Sequence, residues 1–207
     1  MFASAPDSLK FGGPLIAGVD EAGRGPLAGP VVAAAVVLGK DLPAGLGDSK
    51  VLSATRREAL DGEIRVTCAW GVGLVDPGEI DRLNIFGATM LAMSLAVARL
   101  AEALGRDPGE VLVDGNMTPQ GRRAEWRWPA RAIVRGDASE PCISAASIVA
   151  KEWRDRLMRE AALRHPHYGW ERNKGYPTAE HLEALRVHGA TPLHRQSFAP
   201  VAQLSLL

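Results

Sequence analysis

Three times along this 207-residue chain a short apolar run leads into an aspartate, and that repeat restricts the fold more than any other feature. Leu15-Ile16-Ala17-Gly18-Val19 runs into Asp20 and Glu21, and Val111-Leu112-Val113 runs into Asp114. Ala132-Ile133-Val134 repeats the pattern, with Gly136-Asp137 close behind. Short apolar runs with polar ends read as strands, and in open α/β sheets the crevice beyond the carboxyl ends of the strands is where ligands bind. If these strands are neighbours, four acids meet in one place. Taken one at a time, each Asp is more simply a turn residue or a helix cap, and the pattern alone leaves both readings open.

The rest of the chain supplies a frame. Residues 31–38 are nearly all Val and Ala, as in a strand buried on both faces, and 68–75 read as a third strand. Ser53 is placed to cap a polar helix through Glu63. From Asp81 onward Leu83, Phe86, Met90, Met93, Val97, Leu100 and Leu104 recur every three or four residues, as on one face of a long helix that Gly105 stops. A helix over about 144–163 follows, with Glu152 and Arg156 spaced to pair on its surface. The last third holds a loop rich in His, Pro, Gly and Tyr, a short helix over 179–188 and an irregular end. Strands first, then strand and helix in alternation, predict a mixed α/β sheet flanked by helices. The expected organisation is a loose, flexible leader over 1–14, one domain over 15–198 including a helical C-terminal region, and a tail over 199–207.

Lys+Arg and Asp+Glu both number 24, so a nucleic-acid surface would have to come from local clustering rather than net charge. The densest basic stretch, Arg122, Arg123, Arg127, Arg131 and Arg135, is the candidate lining for a substrate path. Cys68 and Cys142 are too few for a disulfide framework or a cysteine zinc site. The N-terminus lacks the pattern of a secretory signal, and no apolar run reads as a membrane span, so a soluble cytoplasmic protein is expected.

Four converging carboxylates would not all stay ionised without cations among them. Oxygen donors without Cys or clustered His favour Mg²⁺ or Mn²⁺ over zinc. Two such ions about 3.5–4 Å apart form the clamp used for in-line phosphoryl displacement. Directly behind the first acidic pair, Gly23-Arg24-Gly25-Pro26 lets backbone approach a ligand, with Arg24 able to grip phosphate. A plain tight turn accounts for the same residues.

Together these segments closely resemble the bacterial ribonuclease HII (type 2 ribonuclease H) family. The resemblance is carried by GVDEAGRGPLAGPV (18–31), DSKVLS (48–53), VDGN (113–116), RGDA (135–138), ISAASIVAKEWRD (143–155), HYGWERNKGYPTAEH (167–181) and HRQSF (194–198), in family order over about 180 residues. It implies a ribonuclease H-like fold, a five-stranded mixed sheet flanked by helices with a helical C-terminal region. It further implies Mg²⁺- or Mn²⁺-dependent endonucleolysis of RNA in RNA–DNA hybrids. The cut falls 5′ to a ribonucleotide, including a single one embedded in duplex DNA, and leaves 3′-hydroxyl and 5′-phosphate ends. By the family's pattern Asp20, Glu21, Asp114 and Asp137 are the catalytic metal ligands for two ions, with Asp20 bridging them.

The same resemblance assigns reading of the 2′-hydroxyl to the backbone of Gly23, Arg24 and Gly25 and to Tyr176, with Tyr168 as the competing tyrosine. Lys50, Lys174, Ser139 and Ser147 are implied as substrate contacts on phosphate, which position a duplex without reading its sequence. Two positions depart from the family's habit: Asn173 stands where many members have His, and Glu152 where many have Val. The final Gln203-Leu204-Ser205-Leu206-Leu207 is similar to the short peptide with which bacterial repair proteins dock on the DNA sliding clamp, an expected partner through Gln203, Leu204, Leu206 and Leu207. A monomer is expected. Type 3 ribonucleases H carry a long N-terminal domain, for which 14 residues leave no room. A non-catalytic hybrid-binding protein is the rival from another class; a nucleotide-binding enzyme lacks its Walker lysine or dinucleotide fingerprint.

Overall fold

The computed structural model describes residues 1–6, 14–41, 43–46 and 52–206. Its centre is a mixed sheet of β1 (Ala3–Ser4), β2 (Ile16–Ala22), β3 (Val31–Val37), β4 (Ala69–Val75), β5 (Glu110–Asp114) and β6 (Ala130–Ile133), in the order β1-β4-β3-β2-β5-β6. The first four run antiparallel to their neighbours, whereas β2, β5 and β6 are parallel. Five strands match the expectation. The sixth, β1, comes from the leader read as loose: Ala3 pairs with Gly71 and Ser4 with Trp70.

The Val/Ala run divides the molecule into its layers. Along β3, Val31, Ala33, Ala35 and Val37 point into one core, and Val32, Ala34 and Val36 into another. The first core is covered by α2 (Pro77–Leu104), and the second by α1 (Ala54–Thr67) and α4 (Pro141–Arg164). Every β3 residue is buried, which accounts for an apolar run without alternation. Helix α2 is long and apolar enough to cross a bilayer by composition, contrary to the reading that no segment is. Here its apolar stripe is buried against the sheet instead.

Local chemistry sets the ends of these elements. Ser53 caps α1 through the Arg56 amide, and Asp76 caps α2 through the Glu79 amide with Pro77 behind it. The 3.6-residue periodicity of α2 conceals a break. Asn84 has φ 58° and ψ 168°, a region otherwise essentially reserved for glycine at a cost of about 1–3 kcal/mol. Its Oδ1 restarts the helix by accepting from the amides of Phe86 (2.9 Å) and Gly87 (3.0 Å). Glu152 and Arg156 do not pair with each other. Glu152 is buried and bound to Arg57 of α1 at 2.6 Å, while Arg156 faces Asp61 at 3.6 Å. The helix presents Glu152 to α1, not to solvent, and Arg57 supplies the counter-charge.

Beyond α4 come α5 (Trp170–Asn173), α6 (Ala179–His188) and α7 (Ala199–Ala202), packed on a separate cluster around Leu27, Met158, Tyr168, Trp170 and Leu185. Helices α5 and α6 are the expected helical C-terminal region, whereas α7 folds part of the segment 199–207 read as a tail with an irregular end. The start of α4 reaches the middle of the sheet through Gly18, where an added Cβ would stand 2.2 Å from the Cys142 carbonyl carbon. Two backbones meeting this closely leave no flexible side chain to yield. Gly18→Ala is therefore expected to lower unfolding stability by about 3 kcal/mol, the upper range for overpacking, as measured by urea denaturation. An unchanged midpoint would show that α4 can slide off β2.

Candidate active site

The parallel pairing of β2 with β5 brings the acids together. Val19 is opposite Val113, so one residue further on Asp20 and Asp114 stand on neighbouring strands. Strand β2 continues past Asp20 through Glu21 to Ala22, two residues beyond the expected end. Asp137 sits in the short helix α3 (Gly136–Ser139), and its amide donates to Asp114 Oδ1 at 3.3 Å. Asp20 is buried, accepts from the Glu21 amide at 2.7 Å, and is bonded by the Ser147 side chain of α4. Burial first, then the charges of Glu21 and Asp114, hold its carboxyl well above the usual range, against the lowering effect of Ser147. Glu21 meets Arg24 at 3.2 Å.

This donor set suits a hard divalent cation. It offers carboxylate oxygens without Cys or His, and its most buried member lacks enough positive charge nearby to stay ionised easily. Among the described residues no three of the metal-binding side-chain types are drawn close enough together to hold an ion. Glu21 is engaged by Arg24, Asp114 by the Asp137 amide, and Asp20 by the Glu21 amide and Ser147.

Beside the acids lies a cavity of about 260 Å³ lined by Glu21, Gly23, Arg24, Gly25, Ser147 and Tyr176, together with Lys151 and Arg154. Sequence-distant residues expected to read a 2′-hydroxyl thus share one wall. Tyr176 is 46% exposed and its ring edge flanks Gly25. Tyr168, the alternative, is 3% exposed; it stacks on Trp170 and donates its hydroxyl to the Gly189 carbonyl at 2.8 Å. That contact makes Tyr168 a packing residue. A larger cleft of about 490 Å³ opens near Ile16, Leu38, Leu112 and Cys142, at the opposite end of β2, and holds none of the expected residues.

Two buried arginines, given no role by the sequence reading, build this wall. Arg195 donates to the carbonyls of Gly23, Arg24 (2.9 Å) and Gly29 (2.9 and 3.0 Å). Arg154 donates to Ala28 and Pro30 (both 3.0 Å) and to Lys174 (2.9 Å). Burial lowers their pKa values to about 9 and about 10 respectively, so both remain charged at neutral pH. Gly23, at φ 95°, has no room for a side chain: a Cβ would meet Arg154 Nε at 2.0 Å. The signal for Arg154 was present, since it falls in line with Ala150, Met158 and Ala161 on the buried stripe of α4.

The remaining assignments scatter. Lys174 turns its ammonium back to the Glu171 carbonyl. Ser139 is exposed on α3, near the Arg135 carbonyl, and Lys50 lies outside the described residues. Of the basic stretch, Arg123, Arg127 and Arg131 pair with Glu125, Asp107 and Glu110. Asn173 shapes the Tyr176 loop: its amide donates to the Tyr168 carbonyl (2.7 Å) and its Oδ1 accepts from the Gly175 amide (2.8 Å). Gln203 is exposed in a 3₁₀ turn, and Leu204 is partly buried on the C-terminal cluster. Leu206 ends that turn, and Leu207 lies outside the described residues.

A family model described as Ribonuclease HII matches residues 17–201. The chain is 75% identical to Ribonuclease HII of Novosphingobium aromaticivorans over 192 residues, covering 92% of this chain and 98% of that one. It is 63% identical to Ribonuclease HII of Sphingopyxis alaskensis, covering 93% of each. Among solved structures it is similar to ribonuclease H2 from Pyrococcus horikoshii OT3, with a TM-score of 0.70 at 27% identity over 93% of this chain and 97% of that one. It is also similar to the PCNA:RNase HII complex from Archaeoglobus fulgidus, with a TM-score of 0.72 at 27% identity over 89% and 95%.

A buried histidine pair braces the tyrosine loop from behind. His181 Nδ1 is 2.9 Å from the Tyr176 carbonyl and so carries its proton, leaving Nε2 to accept from Trp170 Nε1 (3.1 Å) and from His194 Nε2 (3.1 Å). His194 Nδ1 accepts from the Thr191 amide at 2.9 Å. Both rings are thereby neutral. Burial, with His181 adjacent, pushes His194 down to about 4, and burial lowers His181. A folded pKa below the unfolded value of about 6.5 means the unfolded chain binds more protons in between. This stability is present above about pH 6.5 and is lost as pH falls towards about 4. Urea midpoints should therefore drop between about pH 6.5 and 5, less so in His194→Asn. A flat midpoint over that interval would reject the neutral pair.

Proposed function

The chain belongs to the ribonuclease HII family and is a divalent-metal-dependent ribonuclease H endonuclease, and on that premise we propose that it cuts 5′ to a ribonucleotide at an RNA–DNA junction or alone within duplex DNA. The observation that carries this reading is the shared cavity in which Tyr176 and the Gly23-Arg24-Gly25 backbone face each other beside Glu21. One hydroxyl and a fixed backbone turn suit recognition of a sugar by its 2′-oxygen. Asp20, Glu21, Asp114 and Asp137 would hold Mg²⁺ or Mn²⁺, with Glu21 exchanging Arg24 for the ion. The chemistry such an ion would supply when bound is Lewis acidity towards a water and the leaving 3′-oxygen. Ser147 keeps the Asp20 carboxyl oriented, Arg24 approaches the phosphate, and Tyr176 fixes the ribose so that the phosphate on its 5′ side meets the acids.

The tail is the second element of the proposal. Exposed Gln203 and the leucines after it would dock on the sliding clamp, in keeping with the clamp-bound archaeal relative; Leu204 must then leave its place on the C-terminal cluster. A labelled 197–207 peptide is expected to bind the cognate clamp by fluorescence anisotropy. No binding at high micromolar clamp would end this part of the reading.

Catalysis is tested on a labelled DNA duplex with one ribonucleotide, with Mg²⁺, Mn²⁺ or EDTA. Cutting on the 5′ side with either metal, none in EDTA and none on all-DNA duplex is expected. Asp114→Asn should abolish cutting while the protein stays folded. Tyr176→Phe should slow cutting at the single ribonucleotide about tenfold, the worth of one hydrogen bond, with little change in stability. Full activity of Asp114→Asn would overturn the metal assignment, and an unchanged Tyr176→Phe the sugar-reading role.

A further inference from the structure

A second cavity adjoins the acids on the opposite face of the sheet. It measures about 350 Å³, shares Glu21 and Arg24 with the Tyr176 cavity, and adds Asp114. Its wall is apolar: Phe86, Met90 and Met93 from α2, and Met117 from the turn after β5. Phe86 and Met117 are 37% and 41% exposed, so two large apolar side chains face solvent directly beside carboxylates. Phe86 stands there because α2 breaks at Asn84, whose side chain caps the Phe86 amide. A sequence that maintains glycine-like backbone at an asparagine to build this wall points to use rather than packing.

We propose that this second cavity seats the nucleotide immediately 5′ of the cut, the one that leaves with the 3′-hydroxyl, and that Phe86 and Met117 pack against its sugar. The inference rests on the reading of the Tyr176 cavity as the ribonucleotide subsite. If the ribose lies there, on the α4 face, the phosphate on its 5′ side falls at Glu21 and Asp114 between the two cavities. The strand then continues onto the α2 face. Phenyl and thioether groups match the C–H faces of a sugar and read no base edge, so the contact tolerates any sequence. It also aligns the leaving oxygen, which a grip on the ribonucleotide alone does not.

An enlarged-pocket experiment tests this. The single-ribonucleotide duplex is prepared with a 2′-O-methyl group on the nucleotide 5′ of the cut, and in a control duplex on a nucleotide several positions further 5′. The wild-type protein should cut the first about tenfold or more slowly than the unmodified duplex, because a methyl group forced against a packed wall is poorly tolerated, and should cut the control normally. In Phe86→Ala and Met117→Ala, both side chains being exposed enough to remove without unfolding, the methyl penalty should shrink several-fold even though unmodified duplex is cut more slowly. Tyr176→Phe, on the other face, should keep the wild-type penalty. A methyl penalty equal in wild type and both alanine variants, or no penalty in wild type, would overturn the second subsite. Failure of the wild type to cut the unmodified duplex at its ribonucleotide would instead overturn the reading on which it rests.

Discussion

Two buried guanidinium groups hold the wall between the 23–30 turn and Tyr176 in one piece. Arg154 and Arg195 are almost wholly buried, and among the described residues neither forms an ion pair with a carboxylate. A buried charge without a counter-ion is costly unless dipoles replace the water it loses. Here the dipoles are backbone carbonyls from the turn at 23–30 and from Lys174. Each planar fork satisfies several carbonyls at once, a task an ammonium on a flexible stem fits poorly. In the folded protein the Gly23-Arg24-Gly25 turn is therefore held by side chains of α4 and of the segment around Arg195, separated from it by well over a hundred positions.

The sheet does the complementary work of separating roles. Strand β2 delivers Asp20 inward and Glu21 to the rim, β5 adds Asp114, and each side of the sheet then contributes a different wall. On the α4 side the lining is backbone, serine, tyrosine and the basic Lys151 and Arg154; on the α2 side it is mainly phenylalanine and methionine. Glu21 and Arg24 stand between the two. With zero net charge on the chain, positive charge at this site is local, set by Arg24, Lys151 and Arg154.

Much of this was legible in the residues. The unbroken Val/Ala run of β3 announced burial on both faces, and Ser53, the 179–188 helix and Asp114 at the end of β5 stand where the sequence puts them, whereas β2 runs on past Asp20 and Asp137 sits in a short helix. Periodicity and capping are local signals, and these features are local. What escaped depends on partners far away in sequence. Glu152 on α4 read as a surface charge because its partner, the Arg57 side chain, belongs to another element, and Arg154 drew no reading because the carbonyls it binds, at 28 and 30, lie far off in sequence. The break at Asn84 was invisible for another reason: apolar residues on both sides keep helical spacing across it. His181 and His194 look like polar tail residues until Trp170 and Thr191 are seen to supply their hydrogen bonds.

The short strand β1 has a bearing on solubility. Strand β4 would otherwise form the margin of the sheet, an apolar run from Ala69 to Val75 with unpaired amides and carbonyls. Ala3 and Ser4 lie along its centre, the Val72 amide donates to the Phe2 carbonyl at 2.8 Å, and Arg99 sits over the Phe2 ring at 4.6 Å. Six residues of leader thus act as a selvedge. Without them, one molecule's β4 would offer the next a ready template for strand addition, and the protein would trade a finished border for a route to self-association.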